Sequence, residues 1–263
     1  MGERKKYRRG RRKKKKGGII STLILIIAIA VFCVSGYQLY KIFGGYHQGK
    51  SEYDKVREVA VHGDDKDEDE FVVDFDELKK INADTVGWIR FYPEPSQISY
   101  PLVQTTDNDL YLNQTFSANE NTVGAIFVNC DNASDFSDRN TIIYGHRMKD
   151  HSMFHDLEKY KDESFWKENP YFYIYTPDGR KLSCHIYSAG IVKDTSSTYL
   201  TQFASDEEYQ AFLDDTKRAG AYHTGVEVAT DQRVVTLSTC TAASDDNRMV
   251  VRGVIESEDV VKK

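Results

Sequence analysis

Val234-Val235-Thr236-Leu237-Ser238-Thr239-Cys240 is a run of apolar and β-branched residues that stops on a cysteine, the composition and length of a strand. A polar loop follows, and Arg248-Met249-Val250-Val251 opens a second strand. If the two pair as a hairpin, the end of the first lies beside the start of the second, and Cys240 and Arg248 share one rim. A thiol needs help to become a thiolate at neutral pH, which a nearby cation gives. Arginine cannot serve as a base, but its planar donor fork can hold a carbonyl oxygen that is gaining charge.

Proton transfer then requires an imidazole, and the chain has seven histidines. His146 stands out because it follows the strand-like Thr141-Ile142-Ile143-Tyr144 and a glycine, which places it at a strand end on a turn. His47 and His62 fall in an expected stalk. His151 and His155 are four apart on an expected helix, a spacing that can grip a metal. A third ligand is not evident in the sequence, and the glutamate of a His-Glu-x-x-His motif is missing. Both are therefore read as surface or packing residues, and no metal is assigned. His185 in a strand and His223 in a loop are read as structural.

Outward from these segments, short Val-, Ile- and Tyr-rich stretches predict further strands at 87–91, 124–129, 141–144, 171–176 and 181–192, besides 233–239 and 248–255. Pro177-Asp178-Gly179 joins two of them as a hairpin. Asp74 with Glu77 forms a capping box for a short helix carrying Phe75, Leu78 and Ile81 on its apolar side. Helices are also expected near 153–167 and over 205–218, the latter capped by Ser205 and Glu208 and burying Tyr209, Phe212 and Leu213. Many short strands with few helices point to a closed or nearly closed β-barrel with helical additions.

The 263 residues, 40% hydrophobic, suit one folded domain plus extensions. A formal net charge of −6 hides an asymmetry, for residues 1–18 hold about eleven Lys and Arg and a single acid, Glu3. That basic run abuts an apolar stretch and not a recognition surface, which argues against nucleic acid. The uncharged segment from Ile19 to Val34 and onward, taken as 19–40, approaches the length needed to cross a bilayer. A cleaved signal peptide also begins with a basic run and an apolar core, but here the core is long and no small-x-small site follows. An uncleaved signal anchor is expected, with residues 1–18 cytoplasmic and the rest of the chain outside. Residues 41–70 read as an acidic stalk, 71–257 as the catalytic domain and 258–263 as a tail. With Cys33 in the anchor, Cys130, Cys184 and Cys240 leave at least one free thiol.

Thr236-Leu237-Ser238-Thr239-Cys240 resembles the T-L-x-T-C signature of sortases, Tyr144-Gly145-His146 resembles their histidine segment, and Arg248 has the place of their essential arginine. The segments Asp76-Glu77-Leu78 through Asn82, Gly87-Trp88-Ile89, Tyr100-Pro101-Leu102-Val103-Gln104 and 108–113 are similar to class B sortases. The resemblance implies an eight-stranded sortase-type barrel with an N-terminal helical extension and a helix between strands six and seven. It further implies a cysteine transpeptidase. Cys240 attacks the carbonyl after a threonine in a C-terminal sorting motif, His146 moves protons, and Arg248 stabilises the oxyanion. The partners it implies are surface proteins bearing that motif and an amine of peptidoglycan or its lipid-linked precursor, with no metal or organic cofactor. By position in matching segments, Asn108, Leu112, Tyr144, Thr195, Tyr199, Leu200 and Ser238 resemble residues lining the class B groove. Thr241 stands where some relatives carry an acid. Pilin polymerisation, hydrolysis with water as acceptor, and a non-catalytic anchored module remain as alternative readings.

Overall fold

The computed structural model describes residues 17–63, 70–244 and 246–261. The basic run up to residue 16 and the acidic run 64–69 lie outside the described residues. The chain divides into two units, 1–44 and 45–263.

Helix α1, Gly17–Ala60, is continuous through the expected anchor and most of the expected stalk. In its first part Leu23, Ile24, Leu25, Ile26, Ile27, Ile29 and Val31 are all exposed. A helix apolar on every face has no soluble side, and this one is long and apolar enough to cross a membrane. The stalk expectation is corrected for the second part of the helix, where Tyr53, Val56 and Ala60 are buried in the core of the 45–263 unit. Their spacing, three and then four residues, puts them on one helix face. Strands β1, Val61–His62, and β2, Val72–Val73, pair beyond that helix.

Helix α2, Phe75–Ile81, begins as expected, with the Asp74 carboxylate accepting from the Glu77 amide at 3.0 Å. Eight strands follow: β3 (Thr85–Phe91), β4 (Ser99–Val103), β5 (Ile126–Val128), β6 (Asn140–Tyr144), β7 (Tyr171–Tyr175), β8 (Arg180–Lys193), β9 (Val234–Cys240) and β10 (Asn247–Val260). They close a barrel in the order β10-β8-β7-β3-β4-β5-β6-β9, with β9 returning to β10. Neighbours are antiparallel except β4 with β5 and β6 with β9. Closure leaves no free edge, and the interior is filled by side chains such as Ile89, Phe91, Phe172, Ile174, Leu237 and Val251. The eight-stranded barrel is thus borne out. So is the helix between its sixth and seventh strands: α4, Asp206–Arg218, with the Ser205 hydroxyl accepting from the Glu208 amide and Tyr209, Phe212 and Leu213 buried.

Three elements depart from the sequence reading. β4 carries Pro101 and was not expected as a strand. Its proline is accommodated because β5 pairs only from Leu102 onward, so no ladder bond from residue 101 is lost on that side. The expected helix 153–167 is broken into a 3-10 segment, His155–Lys161, and α3, Glu163–Glu168. Asp162 between them is extended (φ −99°, ψ 119°) and caps α3 by accepting from the Ser164 amide. The tail expected at 258–263 is structured through Val261, since β10 pairs with β8 as far as Val260 and the Val261 amide donates to the Gly179 carbonyl.

Candidate active site

Two parallel strands and one antiparallel strand place the three candidate groups. In the β6–β9 ladder Tyr144 is the register partner of Ser238, and the Gly145 amide continues it by donating to the Ser238 carbonyl at 3.1 Å. His146 and Cys240 each lie two residues beyond that pair, so both leave the barrel from the same end. Arg248, near the start of β10, is the register partner of Cys240. The three side chains line one cleft of about 230 Å³ together with Asn108, Leu112, Phe127, Tyr144, Ser238 and Thr239. Cys240 is exposed at its edge and unbridged.

His146 is held on both faces of its backbone. Gly145 lets the chain pass over the fully buried Phe154, since a Cβ there would meet the Phe154 ring at 2.7 Å. The Phe154 amide in turn donates to the His146 carbonyl at 2.9 Å. The imidazole Nε2 lies 2.8 Å from the Leu112 carbonyl oxygen. A carbonyl only accepts, so Nε2 carries a proton and Nδ1 is the nitrogen left for proton exchange. Next along the chain, Arg147 pairs with the Glu158 carboxylate, Nη2 donating to Oε2 at 3.1 Å and Nε lying 3.1 Å from Oε1.

The Arg248 guanidinium is positioned by Asp194, 3.7 Å from Nη2, and by the Asn247 carbonyl, 3.2 Å from Nη1. Tyr144 and Tyr199 stack with ring centroids 6.2 Å apart, and Tyr199 Oη bonds the Ser238 hydroxyl at 2.9 Å. Burial pushes the Tyr144 phenol up to about 12 and raises Tyr199 as well, so both stay protonated at neutral pH. Asn108 fixes the loop beside them by accepting from the Cys130 amide at 2.9 Å.

Of the groove residues named from the sequence, Asn108, Leu112, Tyr144 and Ser238 face this cleft. Tyr199 joins it through Ser238. Thr195 sits exposed on the turn after β8, and Leu200 is exposed while its carbonyl accepts from Asn140 Nδ2 at 2.8 Å. The Thr241 hydroxyl donates into its own turn, to the Ser244 carbonyl at 3.2 Å. Phe127 and Thr239 were not singled out in the sequence. Both belong to expected strands, and Thr239 also stands in the T-L-x-T-C segment, but nothing in the sequence says which strand positions reach the rim.

Away from the cleft, donor atoms of His151, His155 and Asp156 lie within 4.8 Å of one another, so Asp156 is the third donor that spacing did not reveal. Lys159 already holds one Asp156 oxygen at 2.9 Å, and His151 Nδ1 lies 3.5 Å from the other. An internally paired carboxylate needs no ion to satisfy it. His185 stacks on Tyr171, 4.5 Å between centroids.

Residues 94–256 match the Sortase domain family, more than half of the chain. The chain belongs to the sortase family. This sortase is 32% identical over 242 residues to Sortase B of Listeria monocytogenes, an alignment spanning 88% of this chain and 94% of that one. Among solved structures it is similar to a Staphylococcus aureus sortase B-substrate complex at 34% identity, TM-score 0.65, over 72% of this chain and 85% of that one. It is likewise similar to sortase B from B. anthracis in complex with AAEK1, at 31% identity and TM-score 0.68, over 84% of this sortase and all of that chain. It is a cysteine transpeptidase of the sortase B type.

Proposed function

We propose that Cys240, His146 and Arg248 carry the transpeptidation, and that the enzyme works from a membrane anchor formed by the apolar part of α1 on surface proteins bearing a C-terminal sorting motif. The observation that supports this most directly is the shared rim. The thiol, imidazole and guanidinium leave adjacent strands at one barrel end and line one cleft.

In the first half-reaction His146 Nδ1 takes the proton of the Cys240 thiol, and the thiolate adds to the carbonyl carbon after the motif's threonine. The oxygen takes up the displaced electron pair as an oxyanion, and the Arg248 fork donates to that oxygen. Collapse re-forms the carbonyl and breaks the C–N bond, and the leaving amine takes a proton from His146 Nδ1, giving a thioester. In the second half-reaction an amine of the cell wall or its precursor enters, His146 Nδ1 removes its proton, and attack on the thioester restores the Cys240 thiolate. The Nε2–H bond to the Leu112 carbonyl keeps Nε2 protonated through the cycle, so that Nδ1 is the nitrogen that exchanges the proton.

Four observations support a peptide substrate. The cleft wall is largely apolar, Tyr144 and Tyr199 stack at one side, Ser238 is anchored, and the similar Staphylococcus aureus protein was solved with a substrate. The deciding experiment incubates the enzyme with a library of threonine-containing sorting peptides, with and without an amine nucleophile, and identifies products by mass. Transfer to the amine is expected, and Cys240→Ala should lose at least about 10⁴-fold in rate. Wild-type turnover by Cys240→Ala would reject the assignment. Hydrolysis alone in the presence of amine would make the enzyme an endopeptidase.

A further inference from the structure

A buried hydroxyl on the last turns of α1 reaches the loop that carries the imidazole's partner. Tyr53 is 8% exposed, and its Oη donates to the Gly124 carbonyl at 2.7 Å while accepting from the Phe116 amide at 3.2 Å. Gly124 is in the left-handed region, φ +64°. A Cβ on it would lie 2.8 Å from His146 Cδ2, 2.7 Å from the Tyr111 carbonyl oxygen and 3.0 Å from that of Leu112. The backbone at 124 is thus the surface against which both the His146 ring and its acceptor rest. The Ala125 amide ties the same loop to the Tyr111 carbonyl at 2.9 Å. On its other side the Tyr53 ring packs edge-on against Tyr100, 5.4 Å between centroids, and Tyr100 Oη accepts from the Met153 amide at 3.2 Å. Met153 bridges Arg147, the residue after His146. One side chain of α1 therefore braces the histidine from two directions.

We infer that Tyr53 is a positioning residue for the transfer reaction: its bond to the Gly124 carbonyl sets the loop that keeps the Leu112 carbonyl on His146 Nε2. This rests on the reading of His146 as the proton-transfer group. The same inference gives the segment 45–60 a catalytic purpose beyond linking the barrel to what precedes it.

The test uses the full chain in detergent. Tyr53→Phe keeps the ring and removes the hydroxyl, so the fold is retained and its thermal midpoint should stay within a few degrees of wild type. We expect kcat to fall about tenfold with KM little changed, since misplacing a proton-transfer group costs rate more than substrate binding. The imidazole ¹⁵N shifts of His146 should move from the Nε2–H tautomer toward a mixture, and the pH profile of kcat should shift with them. Gly124→Ala, which pushes a methyl toward the ring, should give the same tautomer change by a second route. Unchanged ¹⁵N shifts and an unchanged pH profile in Tyr53→Phe would overturn the inference. If His146→Ala retained wild-type transfer, the assignment of His146 would fall instead, while the tautomer measurement would still report on the brace.

Discussion

Arg248 is the cross-strand register partner of Cys240 at the open end of the β9–β10 ladder. Directly opposed residues in an antiparallel pair have Cβ atoms only about 5 Å apart, so the two side chains start from neighbouring points on the rim, and both line the same cleft. Arg248→Lys keeps the charge and loses the fork. If the fork binds a developing oxyanion, kcat should drop by about 10²-fold while peptide binding changes little. Steady-state kinetics with a fluorogenic sorting peptide would check it, and full activity in the lysine variant would remove Arg248 from the chemistry.

Gly145→Ala tests how the histidine segment is seated. The added methyl would meet the Phe154 ring at 2.7 Å, and Phe154 is fully buried and cannot swing away. Overpacking of this kind costs about 1–3 kcal/mol. Urea unfolding should show that loss, and transfer activity should fall with it because His146 is the next residue.

Barrel strands that carry the site were legible because β6, β9 and β10 alternate or run apolar with β-branched residues, and each stops at a polar turn. The site followed from them, since a cysteine, a histidine and an arginine at strand ends can only meet at a rim. β4 was hidden by Pro101, which reads against a strand unless one knows that its partner starts a residue later. Tyr53, Val56 and Ala60 carry helical spacing, but the polar and acidic residues around them read as a solvated stalk, and only the barrel's surface gives them a partner. The direction of Thr241 depends on a turn closed by Ser244, which no local pattern announces.

Thiol chemistry should discriminate sharply among the cysteines. Burial pushes the Cys184 thiol well above its ordinary value, and the residue is fully enclosed, so neither thiolate nor access is available. Cys240 is exposed at the cleft. Brief treatment of the native protein with iodoacetamide at pH 8, followed by peptide mass mapping, should modify Cys240 and leave Cys184 untouched until denaturant is added. Early modification of Cys184 would contradict the packing around it.

Acid stability should carry a contribution from Glu158. Partial burial works to raise this carboxyl, but Arg147 and Lys161 outweigh it and hold it below its ordinary value. A carboxylate depressed in the fold stabilises above its unfolded pKa, about 4.3, and that contribution disappears as pH falls through the lower folded value. Glu158→Gln should therefore cost about 1 kcal/mol at pH 7 and nothing at pH 2–3, read from denaturant midpoints across the range. Equal losses at both ends would mean that shape, not charge, matters there.

The parallel joint between β6 and β9 has a consequence for when the chemistry can start. The sulfur and the imidazole are roughly 90 residues apart in the chain, and a parallel neighbour cannot be reached by a tight turn, so all of β7, β8 and α4 must be laid down between them. Until the seventh strand slots between its two neighbours, Cys240 has neither the strand that carries His146 nor the strand that carries Arg248 beside it. With the three groups in the roles proposed above, completion of the barrel would be the arming step, and a half-folded chain would carry an idle thiol.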